Sequence, residues 1–444
     1  MKLESRRIMK KKRKLKKKSV FIVFLILICI GVGIYFYLNP INKSNPSQEK
    51  EINEKKETIS KEDKEFIDKI KKEYSLTFDV PSKYVELFKK YSEVIENNDK
   101  ITDYKKYVYN LFQVVMSEGF QRHFKEEYFF NKLTDLTIKV DDSLEDNWAN
   151  GLYYADTTLV AIPKGNYIVL YHELMHFMDD AINTGFGYNL WKCDNKILSN
   201  DEKNQLSDEK QDLCEYIIPD DITFIMEAGA ELYSTKYFKK GVVAYFDVTT
   251  YYTALEYILG SEKVDDFFFG GDGIFMKFMI DNGYTMEEYQ DIIDDLAYYA
   301  VPAYNSTVVS TEGKAVDLLI DLYKKYKTGK DWKQDEVFTY MLRMFLDMGN
   351  DSKYKNSKYK SDLDKIVYKS FDDFLEREDT MLKQIPSNIE FNNTPIPPYI
   401  INNELYLGSR IKIDGKKADN TFGYIKYDFD TKKIIYSNYK YEAE

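Results

Sequence analysis

The longest apolar stretch in the chain is the uncharged run Val20 to Leu38. As a helix its residues would rise about 28 Å, close to the ~30 Å of a bilayer core, so the run predicts one transmembrane helix. From Asn39 to about Glu65 the chain is Asn, Pro, Ser, Lys and Glu with no apolar rhythm, which predicts a solvated spacer. From Phe66 apolar residues recur at helical spacing, as in Tyr84, Leu87, Phe88 and Tyr91 and again in Val108, Leu111, Phe112 and Val115. Between Leu133 and Pro163 the period shortens. Leu136 to Val140 alternates, and Gly151 to Ile162 has strand-forming composition. Helical periodicity returns at about Tyr167 and dominates to about Leu382, with breaks at Gly185 and Gly187, at Pro219, around Gly241 and at Gly270 to Gly273, the last read as a helix connector. Pro395, Pro397 and Pro398 mark a boundary, after which Ser409 to Ile413 and two runs flanking Asp430 to Lys433 predict a small β module. The expected fold is α+β and mostly helical. Its parts are a basic tail (1–18), an anchor (19–38), a spacer (39–65), a main domain (66–384) with a small sheet ahead of the helix at Tyr167, and a β-rich C-terminal module (385–444).

Charge gives the apolar run an orientation. Arg6, Arg7, Lys10 to Lys14 and Lys16 to Lys18 crowd before it, while Tyr35, Phe36 and Tyr37 close it with no Ala-x-Ala pattern. This predicts an uncleaved, single-pass anchor in the cell membrane, with the basic end cytoplasmic and the rest of the chain extracellular. A long signal peptide that is removed is the alternative. Residues 1–38 carry eleven Lys/Arg and one acid, so the net charge of −11 conceals an exported part at −21. That argues against a nucleic-acid partner. Cys29 lies in the apolar run, whereas Cys193 and Cys214 are exported, where an oxidising environment permits either a disulfide or two free thiols.

The chain has only three histidines, and two of them form His172-Glu173-Leu174-Met175-His176. Residues four apart share a helix face, so both imidazoles reach one metal ion, and Glu173 stands beside it to polarise a bound water. The pattern points to Zn2+ and hydrolysis; a helix that happens to carry two histidines is the plain alternative. A catalytic zinc needs a third protein ligand and an open position. No histidine follows the motif, Ile182 stands where a metzincin has its third histidine, and His123 lies fifty residues upstream. A carboxylate is therefore expected.

The best candidate is in Asp221 to Tyr233, where Asp221 is a plausible N-cap and Glu227 and Glu231 share one face of the helix it opens. The small residues Ala228, Gly229 and Ala230 would let this helix approach the first closely. Glu227 then completes the metal sphere, and Glu231 accepts the second ring N–H of a liganding histidine. A solvated face is the other reading of such a pair, and Asp220 is a fallback ligand. For an oxyanion donor the candidates are Tyr245 and Tyr252, each of which is otherwise a packing residue. Leu159 to Ile162 reads either as a sheet edge that pairs with an extended peptide or as a plain structural strand.

These residues resemble a family. His172-Glu173-x-x-His176 followed by Glu227-x-x-x-Glu231 is similar to the gluzincin metallopeptidases, the thermolysin and aminopeptidase-N type. Glu227 to Glu231 also resembles a Glu-Gly-x-x-Glu signature of exported, membrane-anchored gluzincin-like proteins of low-GC Gram-positive bacteria. The likeness covers about residues 130 to 280. It departs in Ala228, where glycine is usual, and in the long interval between His176 and Glu227, which holds Cys193 and Cys214. The resemblance implies a zincin-like domain that hydrolyses peptide or protein substrates, with Glu173 as general base. The competing expectations are a catalytically inactive zincin-like surface binding module and an unrelated anchored surface protein.

Overall fold

A computed structural model describes residues 59–146, 151–165, 167–182, 190–194, 196–217, 222–239, 245–271, 273–300, 313–346, 353–367, 386–431 and 433–440. The expected basic tail, anchor and most of the spacer lie outside these residues, as do Asp220, Asp221, Gly185, Gly187, Pro219 and Gly241. Among the described residues no helix is long and apolar enough to cross a membrane.

The described residues from Ile59 onward form one compact unit, mostly helical, with three small sheets among them. It opens with α1 (Lys61–Glu73), which begins inside the expected spacer. The side chain of Ser60 accepts from the N–H of Asp63, and Glu62 and Asp63 sit in the positive first turn, so charges read as solvation are a helix start. Then follow α2 (Val85–Asn97), α3 (Lys105–Asn110), α4 (Phe112–Val115), α5 (Glu118–His123) and α6 (Glu126–Asp135). Phe88, Tyr91, Phe112 and Phe129 interlock at their centre, all fully buried.

The predicted strand region holds β1 (Thr137–Val140), the short α7 (Ser143–Asp146), β2 (Leu152–Tyr154) and β3 (Leu159–Ile162). What reads as one strand from Gly151 to Ile162 is a hairpin, turned over Ala155 to Thr158 with Thr158 at φ 51°. β3 is the middle strand, parallel to β1 and antiparallel to β2. Of the two readings of Leu159 to Ile162, the plain structural strand holds and the edge does not: both sides of β3 are taken, and among the described residues β2 is the edge strand on its side.

β3 and β2 pack on α8 (Tyr167–Asp180), which carries the His-Glu motif. Between α8 and the next long helix the expected helical periodicity gives way to β4 (Leu190–Cys193), β5 (Lys196–Ser199), α9 (Asn200–Asn204), α10 (Asp208–Gln211) and β6 (Glu215–Ile217). β4 lies between β5 and β6, and Cys193 and Cys214 are joined in a disulfide that staples this insertion. Closing a loop of 21 positions contributes ~3 kcal/mol in the chain-entropy account.

Next come α11 (Ile222–Phe238), α12 (Phe246–Leu259), α13 (Ser261–Phe269), α14 (Ile274–Asp281), α15 (Met286–Ala300), α16 (Lys314–Tyr326), α17 (Glu336–Phe345) and α18 (Lys360–Val367). α12 is the hub, buried from Val248 to Glu256 and packed by α11, α13, α17 and the C-terminal sheet. That sheet is the antiparallel meander β7 (Ile389–Ile401), β8 (Glu404–Ile413), β9 (Lys416–Asp428) and β10 (Ile434–Lys440). The proline cluster lies inside β7 and is no boundary. β7 is an edge strand whose pairing with β8 is interrupted around Pro395 to Pro398, where a residue without an N–H is tolerated. The hydroxyl of Thr253 on α12 donates to the carbonyl of Pro398 at 2.7 Å, tying the sheet to the hub.

Candidate metal centre

α8 is apolar on most sides. Leu170, Leu174, Met175, Phe177 and Met178 are fully buried, which is the pattern of a core helix. Into this core the sequence also places His172, Glu173 and His176, each less than one-tenth exposed. Buried polar groups of this kind persist only when paired or liganded.

The partner is α11, packed against α8. Nε2 of His172 lies 3.1 Å from Oε2 of Glu227 and 3.2 Å from Nε2 of His176, and the third side of the triangle, His176 Nε2 to Glu227 Oε2, is 3.6 Å. Among the described residues these three form the one cluster able to hold a metal ion. Tetrahedral bonds of ~2.0–2.1 Å require ligand atoms ~3.3 Å apart, so the triangle has the size such an ion needs. Two imidazole nitrogens and a carboxylate oxygen pointing at one spot would otherwise have to share protons.

Glu231, one turn beyond Glu227, is fully buried, with Oε2 3.3 Å from Nδ1 of His172. The contact is an ion-pair distance without hydrogen-bond alignment, and neither carboxylate oxygen has a hydrogen-bond partner among the described residues. Burial raises Glu231 to about 7 against the opposing pull of His172. Burial would lower His172, but Glu227 and Glu231 override it and hold the imidazole at about 10 when no metal is bound. Burial also works against ionisation of Glu227, yet the two histidines keep its carboxyl well below the usual range.

Glu173 is placed differently. Its carboxylate has no hydrogen bond among the described residues, and burial raises its affinity for a proton. It faces Gly151, the residue leading into β2: a Cβ there would stand 2.8 Å from Oε1 of Glu173 and 2.4 Å from a methyl of Val169. The absence of a side chain lets strand and helix close together.

Of the two tyrosines, one reaches the cluster. Tyr245 caps the start of α12, and its ring lies nearly parallel to the His172 imidazole, centroids 5.5 Å apart. Burial and the Glu227 charge push its hydroxyl pKa upward, so it stays a donor. Tyr252 is a correction to the expected set: it is fully buried and its hydroxyl donates to the carbonyl of Val264 at 2.9 Å, a packing role. Of the small residues of α11, Gly229 serves another neighbour than expected. A Cβ on Gly229 would meet the Phe268 ring at 2.1 Å, so this glycine makes room for α13. His123 is apart from the cluster, with Nε2 3.0 Å from Asp266.

Two features had no signal in the motif. One is Gly151. The other is Asp180 at the end of α8, which receives the hydroxyl of Tyr153 from β2 and, at 2.7 Å, the ammonium of Lys132 from α6, clamping the edge strand to the helix. Their separations of 27 and 48 positions put them beyond any local pattern. No family model, curated protein or solved structure matches this chain.

Proposed function

We propose that this chain is a zinc-dependent peptidase of zincin-like fold, held on the outer face of the cell membrane by its N-terminal apolar run. The observation that carries the reading is the triangle of His172, His176 and Glu227 with an unbonded, buried Glu173 one residue along the same helix. His172, His176 and Glu227 would hold Zn2+, which when bound would supply Lewis acidity for a water and a carbonyl. Glu173 takes the proton of the attacking water as its oxygen bonds to the peptide carbonyl carbon, and passes that proton to the leaving amine as the C–N bond breaks. The Tyr245 hydroxyl donates to the developing oxyanion. Glu231 holds the His172 ring in its liganding orientation. The edge of β2, unpaired among the described residues and preceded by Gly151 beside Glu173, is where an extended peptide pairs by strand addition.

The test is metal content together with peptide hydrolysis. Glu173→Gln is expected to keep zinc and lose hydrolysis, and Glu227→Gln to lose zinc. Full zinc retention by Glu227→Gln would remove the gluzincin ligand set. A wild type that binds no metal would leave the chain as a surface binding module.

A further inference from the structure

At the end of α12 remote from the metal centre lies a cavity of about 960 Å3, bounded by the last turn of α12, the segment between α16 and α17, and the turns of the C-terminal sheet. Tyr245 at the N-cap of α12 and Tyr257 in its last turn are twelve residues apart, about 18 Å along the axis, so this is a separate place. It owes nothing to the proposed zinc chemistry.

One wall is aromatic. The half-buried rings of Tyr257 and Phe429 have centroids 5.4 Å apart, and Tyr427 adjoins Phe429 at 5.8 Å. The Tyr257 ring is fixed: its hydroxyl donates to Oδ2 of Asp335 at 2.8 Å, which also accepts from Tyr323, while Oδ1 of Asp335 caps α17 at Phe338. The lining also carries the exposed amides of Gln334 and Asn403. Lys327, 4.6 Å above the Tyr257 ring, makes no ion pair among the described residues.

The charges are mixed. Glu256 is paired with Lys236 at 2.7 and 2.8 Å, and Asp335 accepts from Tyr257 and Tyr323. Asp331, Asp335 and Glu336 share the lining with Lys327 and Lys330, so it carries both signs. A strongly charged ligand of either sign would meet like charges as well as opposite ones. An uncharged ligand with hydroxyls around its edge and C–H groups on its faces suits this mixed lining: the rings pack against the faces, and amide, carboxylate and ammonium groups bond the hydroxyls. The volume is at the top of the ~300–1,000 Å3 typical of small-ligand sites, which fits several sugar rings rather than one. We propose that this cavity is a carbohydrate-binding site that takes a neutral oligosaccharide, giving the protein a hold on a glycan independent of its metal centre.

The test is isothermal titration of the full-length protein, kept in a detergent without a sugar headgroup, with cellotriose, maltotriose and tri-N-acetylchitotriose. At least one is expected to bind, with Phe429→Ala and Gln334→Ala each weakening it tenfold or more and zinc content unchanged. Gln334 is exposed, so its substitution reads the site even if Phe429→Ala unfolds. Absence of binding by all three at 10 mM ligand, or undiminished binding by Gln334→Ala, would overturn the proposal. So would tripolyphosphate binding that Lys327→Ala abolishes where no saccharide binds.

Discussion

Gly151 and Glu173 stand so close that the glycine has no room for a β-carbon: built there, it would lie 2.8 Å from the carboxylate oxygen and 2.4 Å from Val169. Gly151→Ala must therefore push Glu173 or β2 aside. Misplacement of a base by about 1 Å costs on the order of 100-fold in rate. Gly151→Ala is expected to keep its metal and lose about that much kcat in a peptide hydrolysis assay. Unchanged kcat would show that Glu173 does not act from this position.

Glu231 touches no ligand position, only the far nitrogen of His172. Replacing such an outer partner costs about 10–100-fold in metal affinity. Glu231→Gln should show that loss in competition with a chromogenic chelator. It should also keep the fold, since the amide matches the carboxylate in shape.

The two tyrosines separate a site role from a packing role. Tyr245→Phe is expected to lower kcat by up to about 100-fold, as loss of an oxyanion donor does, with KM little changed. Tyr252→Phe should leave kcat alone and cost ~1 kcal/mol of stability from its bond to Val264, measured by denaturant unfolding. A reversed pattern would reassign both.

Protons and metal compete at His172. In the metal-free protein its pKa is raised from 6.5 to about 10, so its charge stabilises the fold fully below pH 6.5, and that contribution is lost as pH rises through 10. Glu227 has the opposite sign: its pKa is depressed, so its contribution is present above the ordinary carboxylate range and fades as pH falls through its folded value. Metal binding must displace the His172 proton. Apparent zinc affinity should climb about tenfold per pH unit between pH 7 and 9, with close to one proton released, read by calorimetry in buffers of different ionisation enthalpy. A flat profile would mean His172 is already neutral.

Much of the centre was legible in the chain because its parts are local. A spacing of four puts His172 and His176 on one face of any helix, and the same spacing pairs Glu227 with Glu231; histidine scarcity then left a carboxylate as the expected third ligand. The helical majority, the strands ahead of α8 and the hairpin at Asp430 also follow from short-range periodicity and turn chemistry. The start of α1 at Lys61 was missed because a charged stretch with a serine cap reads like a spacer when its burial is unknown. β7 was missed because proline forbids a central strand but not an edge.

What only the tertiary structure decided are relationships between distant positions. Periodicity assigns Tyr245 and Tyr252 to the same stretch, but only the packing of α12 turns the first toward His172 and the second toward Val264. Composition marks 159–162 as a strand, but only the placement of β1 beside it removes its edge and leaves β2 exposed. The small residues of α11 announce a close approach, and only the fold reveals that Gly229 faces Phe268. In each case the residue's chemistry is written in the chain, while its neighbour is fixed by which helices and strands bury one another.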